Sequence, residues 1–270
     1  MPNKAAFFDL DKTVIAKASM AAFGSSFYKG GLLSKGAIIR TIYEHVIYLH
    51  LGASEKKLDK IRNSILQVTK GWEQDKVKEI VEEALADTIS PILYQEALNA
   101  IDWHQAQGHL VWLVSASPEE IVKPLGRFIG VDGVIASRAE VNSEGYYTGK
   151  MEFYCYGPNK AQAIYEISQQ YDIDLQSSYA YSDSYTDLPI LEAVGHPIAV
   201  NPDKNLLKIA KSKDWEVKHF KSTTTLASPK QGQPSKTLLA LAITTSLIVV
   251  AAIILWYLSA RSKGTLAING

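Results

Sequence analysis

Ala5-Ala6-Phe7-Phe8-Asp9-Leu10-Asp11-Lys12-Thr13 decides the fold. Four apolar residues without a break predict a short strand buried on both faces, and the run stops at two carboxylates spaced two apart, followed by a hydroxyl. If the extended path continues, strand alternation places Asp9 and Asp11 on one side. Two acids held together favour a bound cation or a shared proton. On this stretch alone a solvated strand end is the competing reading.

Three further apolar runs end in polar residues. His109-Leu110-Val111-Trp112-Leu113-Val114 leads into Ser115-Ala116-Ser117, after which Pro118 marks the first turn of a helix. Small hydroxyl residues at a helix N-terminus suit a phosphate, because free N–H groups and the dipole face the anion; N-capping by Ser117 is the plainer reading of that residue. Ser178-Tyr179-Ala180-Tyr181 runs into Ser182-Asp183-Ser184-Tyr185-Thr186-Asp187. Asp183 and Asp187 share a face if a helical turn begins there, and oxygen-rich acidic turns bind hard cations such as Mg2+. The last run, Pro197-Ile198-Ala199-Val200, ends in Asn201-Pro202-Asp203. Parallel strands joined by helices gather such ends on one edge, where open α/β sheets bind ligands.

Between these runs the pattern is helical. From about Ala18 to Ala86 apolar residues recur at helix spacing, broken by Gly30-Gly31, Gly52 and Gly71 into three or four helices that read as a cap over the first strand end. Pro91 opens a helix to about Gln107. Residues 134–156 alternate like strands around a turn at Asn142-Ser143-Glu144-Gly145, a hairpin. Gly157-Pro158-Asn159-Lys160 starts a helix to about Tyr171, and Lys160 sits in its first turn, where a cation is disfavoured by the dipole unless an anion faces it.

Asp9-Leu10-Asp11-Lys12-Thr13, Ser115 after an apolar strand, Lys160, and Asp183-Ser184-Tyr185-Thr186-Asp187 together resemble the four motifs of the haloacid dehalogenase superfamily, most of all its phosphoserine phosphatase-like branch. The resemblance covers about residues 5–220. It implies a Rossmann-like parallel sheet core over 1–16 and 88–221, with an α-helical cap of the first type inserted at 17–87. It implies a Mg2+-dependent phosphomonoesterase in which Asp9 is the nucleophile and Asp11 the general acid and base. Asp9, Asp11, Asp183 and Asp187 would serve the metal, and Ser115, Ala116 and Lys160 the phosphoryl group. Phosphoserine phosphatases place a glutamate in the first cap helix for the serine ammonium, and the matching residue here is Ala18. Lys12 and Arg40 are the candidates for a further substrate anion. The expected substrate is a small phosphorylated metabolite of the phosphoserine kind. A lysophosphatidate-type lipid phosphate is the alternative, drawn from the apolar, aromatic cap segment Ile38–Leu51, and an inactive scaffold that keeps the fold is the rival from another class.

Composition sets the frame. The 270 residues include 47% hydrophobic ones, enough for a sizeable core, and Lys+Arg 28 against Asp+Glu 28 gives no charge excess that would favour nucleic acid. Cys155 is the single cysteine, so no disulfide forms within the chain, as suits a reducing compartment. No apolar signal region precedes the first strand. Residues 222–236 are rich in Ser, Thr, Pro, Gly and Gln and read as a flexible linker. Residues 237–258 carry no charge, and at ~1.5 Å per residue they are long enough to span a bilayer core as one helix. Trp256 and Tyr257 lie at one end and Lys236 and Arg261 bracket it; a short tail follows at 259–270. Lysines are denser before the span than basic residues after it, which puts the catalytic part in the cytoplasm.

Overall fold

The computed structural model describes residues 2–33, 63, 64 and 66–224. The expected linker begins later than 222, because Ser222–Thr224 are held against the core: the Gln95 N–H donates to Ser222 O and the Thr224 N–H to Leu93 O, both at 2.8 Å. Residues 225–236, the apolar segment 237–258, the tail, Arg40 and all of Ile38–Leu51 lie outside the described residues. Among the described residues no helix is long and apolar enough to cross a membrane.

The first strand, β1 (Ala5–Phe8), is fully buried and lies at the centre of a seven-stranded sheet. Its alternation explains why the run has no polar break. Ala6 and Phe8 enter one hydrophobic cluster, whereas Ala5 and Phe7 enter the other, so both faces are covered. The next strand, β2 (Leu110–Pro118), repeats the pattern: Val111 and Leu113 pack on one side, Trp112 and Val114 on the other. The remaining strands are β3 (Gly133–Val141), β4 (Tyr147–Phe153), β5 (Tyr179–Ser182), β6 (His196–Val200) and β7 (Glu216–Lys218). Their order is β4-β3-β2-β1-β5-β6-β7, parallel throughout except for β4 against β3. The sequence-predicted hairpin is therefore the antiparallel edge of the main sheet rather than a separate excursion.

Helices α1 (Ser19–Ala22), α2 (Gly24–Lys29) and α3 (Gln74–Ile89) lie between β1 and β2, where the insert is expected, and α3 packs with α4 (Gln95–Ala106) and α5 (Glu119–Ile129) in the first cluster. The opposite face is covered by α6 (Pro158–Gln170), α7 (Leu188–Ala193) and α8 (Lys204–Ser212). This three-layer α/β arrangement with a parallel core matches the expected fold class. The single helix expected from Pro91 to Gln107 is instead a 3-10 turn at Ser90–Ile92, two extended residues, and then α4. Leu93 and Tyr94 are held extended because they pair with the chain leaving β1: the Ala16 N–H donates to Ile92 O at 2.7 Å and the Tyr94 N–H to Val14 O at 2.9 Å. The two connections to the insert are thereby stitched side by side.

Candidate active site

The end of β1 does not continue as a strand. The Leu10 carbonyl accepts from the N–H groups of Thr13, Val14 and Ile15, and Lys12 takes a left-handed φ of 64°, so the chain turns sharply after Asp9. Asp11 approaches Asp9 through this turn and not through strand alternation, which corrects the sequence expectation. Its carboxylate is gripped from both sides: the Ser19 N–H donates to Oδ1 at 2.8 Å and the Ser117 hydroxyl to Oδ2 at 3.1 Å. The Ser19 hydroxyl donates to Ser117 Oγ at 2.7 Å. One donor comes from the insert and the other from the core, so the position of Asp11 depends on both. Ser117 is accordingly not a helix cap; that place is taken by Pro118, which gives no side-chain bond.

Strand β2 bulges where it reaches the site. Its register against β3 shifts between Ser115 and Pro118, which leaves Ala116 and Ser117 standing proud of the ladder. Ser115 is buried and its Oγ accepts from the Ser117 N–H at 3.1 Å, while Ala116 O accepts from the Ser137 hydroxyl at 2.8 Å. The hydroxyl proton of Ser115 thus remains available to donate to an anion.

Lys160 enters from the opposite side. Gly157, at φ 55°, and Pro158 start α6 sharply, and Lys160 follows in the first turn, 2% exposed. Its ammonium donates to Asp9 Oδ1 at 2.7 Å and to Asp187 Oδ2 at 2.8 Å. Burial by itself would strip the lysine of its proton, but the two carboxylates more than reverse this and hold it protonated. Asp187 also accepts from the Ser182 hydroxyl at 2.8 Å. This explains the cation at the positive end of a helix dipole, which the sequence could only flag.

Asp183 follows β5, and the predicted helical turn is present as a 3-10 helix, Tyr185–Asp187. The loop is fastened by Asp203. One of its carboxylate oxygens caps α8 through the N–H groups of Asn205 and Leu206, and the other accepts from the Tyr185 N–H at 2.8 Å. The Asp203 N–H donates to Asp183 O at 2.8 Å. Burial pushes the Asp183 carboxyl up to about 6, with Asp187 adding to the rise while Lys12 and Lys160 oppose it. The Asp9 carboxyl is likewise raised by burial, against Lys160, with Asp187 and Asp11 adding to the rise. Lys12 is exposed but close enough to act on Asp183.

These acids outnumber the cations that face them, and every donor is a hard oxygen. Among the described residues no three His, Cys, Asp or Glu side chains gather closely enough to cage a metal alone. Two carboxylates, one backbone carbonyl and retained waters are the set that Mg2+ favours, so the donors fit this ion. Sequence reasoning missed Ser19, Ser182 and Asp203 and gave Ser117 a different role, because these roles depend on contacts between distant segments. Asp203 carried a local signal, as an N-cap before an apolar-periodic helix. Thr13 lies buried with its hydroxyl unpartnered, and Cys155 is buried behind the site with its thiol pushed up to about 12, too high to act as a nucleophile near neutral pH.

Beside Ala116 and Ser117 opens a cavity of about 270 Å3, walled by Met20, Phe27, Trp72, Tyr147 and Met151. The insert and the core both contribute to it.

The sequence pattern of the haloacid dehalogenase-like hydrolases matches residues 6–192. A Streptomyces azureus protein named for inhibition of morphological differentiation is 42% identical over 264 residues, 97% of this chain and 95% of its own. A probable phosphatase of Mycobacterium tuberculosis is 45% identical over 222 residues, 82% of this chain and 77% of its own. A phosphoserine phosphatase solved as an analogue of its phospho-aspartyl intermediate shares the fold at a TM-score of 0.58 and 18% identity, over 83% of this chain and 95% of that one. The four motifs, the sheet order and these relatives agree: the chain belongs to the haloacid dehalogenase-like hydrolase family and is a phosphatase of that family.

Proposed function

We propose that this chain hydrolyses a small phosphorylated metabolite through a phosphoryl group carried on Asp9, with Mg2+ bound, while tethered to a membrane. The observation that carries the reading is the buried Lys160 ammonium bridging Asp9 and Asp187 at the carboxyl edge of the sheet. It fixes Asp9 in orientation and supplies positive charge where an anionic phosphate must approach.

In this mechanism an Asp9 carboxylate oxygen attacks phosphorus, and the bond to the leaving alcohol breaks. Asp11, steadied by Ser19 and Ser117, gives its proton to the departing oxygen. It then takes a proton from the water that attacks the phospho-aspartate, which releases phosphate and restores Asp9. Ser115, Ala116 and Lys160 hold the phosphoryl oxygens, and Asp187 orients Lys160. Asp9, Asp183 and the Asp11 carbonyl would hold Mg2+, which offsets the repulsion between nucleophile and phosphate. The purified full chain is expected to hydrolyse an aryl phosphate with Mg2+, to stop on chelation and to recover when Mg2+ is restored. Full activity in excess chelator would overturn the metal dependence.

A pH dependence follows from Asp183. Its folded pKa of about 6 exceeds the ordinary 3.8, so between those values the folded state binds more protons than the unfolded. Its contribution to metal-free stability is therefore lost as pH rises through that window. Mg2+ competes with the same proton, so its stabilising rise in Tm is expected to be larger at pH 7 than at pH 5. A rise of equal size at both would contradict a role for Asp183 as ligand.

For residues 237–258 the uncharged length and the flanking aromatic and basic residues support a single membrane span, with the catalytic part in the cytoplasm. The full chain should remain with membranes through a carbonate wash. Its appearance in the supernatant would count against a spanning helix.

A further inference from the structure

Resting on the phosphatase reading, we infer that the alcohol part of the substrate is an apolar chain or ring ending in an ammonium group, with Glu120 as its counter-charge. An apolar void of ~150 Å3 already admits benzene, so a cavity of about 270 Å3 beside Ala116 and Ser117 takes a larger group. Among the described residues that line it, Glu120 is the one charged side chain.

Glu120 is 5% exposed. Gln74 Nε2 donates to its Oε1 at 2.9 Å, and the Tyr147 hydroxyl lies beside it. Both groups can donate to the carboxylate, but neither carries a positive charge. Neighbouring acids are already paired, Glu119 with Lys123 at 2.7 Å and Asp75 with Lys78 at 2.9 Å. Glu120 has no cationic partner among the described residues. A buried carboxylate without one is costly, and a ligand cation relieves that cost. Phe27, Trp72 and Tyr147 in the same wall add aromatic surface, which suits an organic cation. Ala18, exposed before α1, offers no carboxylate for such a group. A wholly neutral lipid tail would leave the charge uncompensated against apolar surface.

The test compares ω-aminoalkyl phosphates of two, four and six carbons with n-alkyl phosphates one carbon longer, using the full chain and Mg2+. At the chain length that reaches Glu120, kcat/KM for the amine should exceed that of its neutral counterpart at least about tenfold. In Glu120→Gln this ratio should fall close to one. A wild-type preference for the neutral ester at every length overturns the inference whatever the variant does. So does an amine preference that survives Glu120→Gln. Turnover of none of these esters or of an aryl phosphate would overturn the phosphatase reading itself, and this inference with it.

Discussion

Asp9→Asn protein, assayed with Mg2+, is expected to hydrolyse an aryl phosphate at least ~10^3-fold more slowly than the wild type. The substitution keeps the size of the side chain and an oxygen acceptor for Lys160, which lies 2.7 Å away, so the fold should be retained. What it removes is the anionic oxygen that bonds to phosphorus. Circular dichroism and a thermal melt establish that the variant is folded, and steady-state kinetics then measure the loss. A folded Asp9→Asn protein with wild-type turnover would contradict the assigned nucleophile.

Lys160→Met is expected to damage both stability and activity. The ammonium is nearly inaccessible to solvent and serves two buried carboxylates, so its removal leaves Asp9 and Asp187 repelling each other without compensation. Breaking a buried pair in this way costs ~3–5 kcal/mol. At ~2–4 °C per kcal/mol for a chain of this size, Tm should fall by roughly 6–20 °C. The deficit should shrink at lower pH, where one of the abandoned carboxylates takes up a proton. Turnover should fall ~10^2–10^3-fold, the scale of losing one positioned charge at a reacting centre. An unchanged Tm would mean that Lys160 is not the buried bridge described above.

Much of this architecture was legible in the chain because its signals are local. The unbroken runs Ala5–Phe8 and Leu110–Val114, short and bounded by polar residues, read as strands covered on both faces, and helices between them imply a parallel sheet. Polar residues closing each run then locate the ligand-binding edge. Local patterns could not reveal how Asp11 reaches Asp9, since that depends on three N–H groups converging on one carbonyl of Leu10. Nor could they reveal that Ser117 reaches Asp11 across 106 positions instead of capping a helix. The break at Leu93–Tyr94 was hidden for the same reason: pairing with Val14 and Ala16 overrides the helical tendency of the segment. Glu120 reads as an ordinary acid in the first turn of α5, and only its burial beside Gln74 and the cavity gives it another meaning.

The proposed mechanism requires Asp9 to carry the phosphoryl group. Acid-quenching the wild-type chain during steady turnover with Mg2+, reducing the acyl phosphate with borohydride and mapping peptides by mass spectrometry tests this directly. Conversion of Asp9, and of no other carboxylate, to homoserine is the predicted result. Rapid turnover with Asp9 left unmodified, or with the phosphoryl group found on another residue, would contradict it.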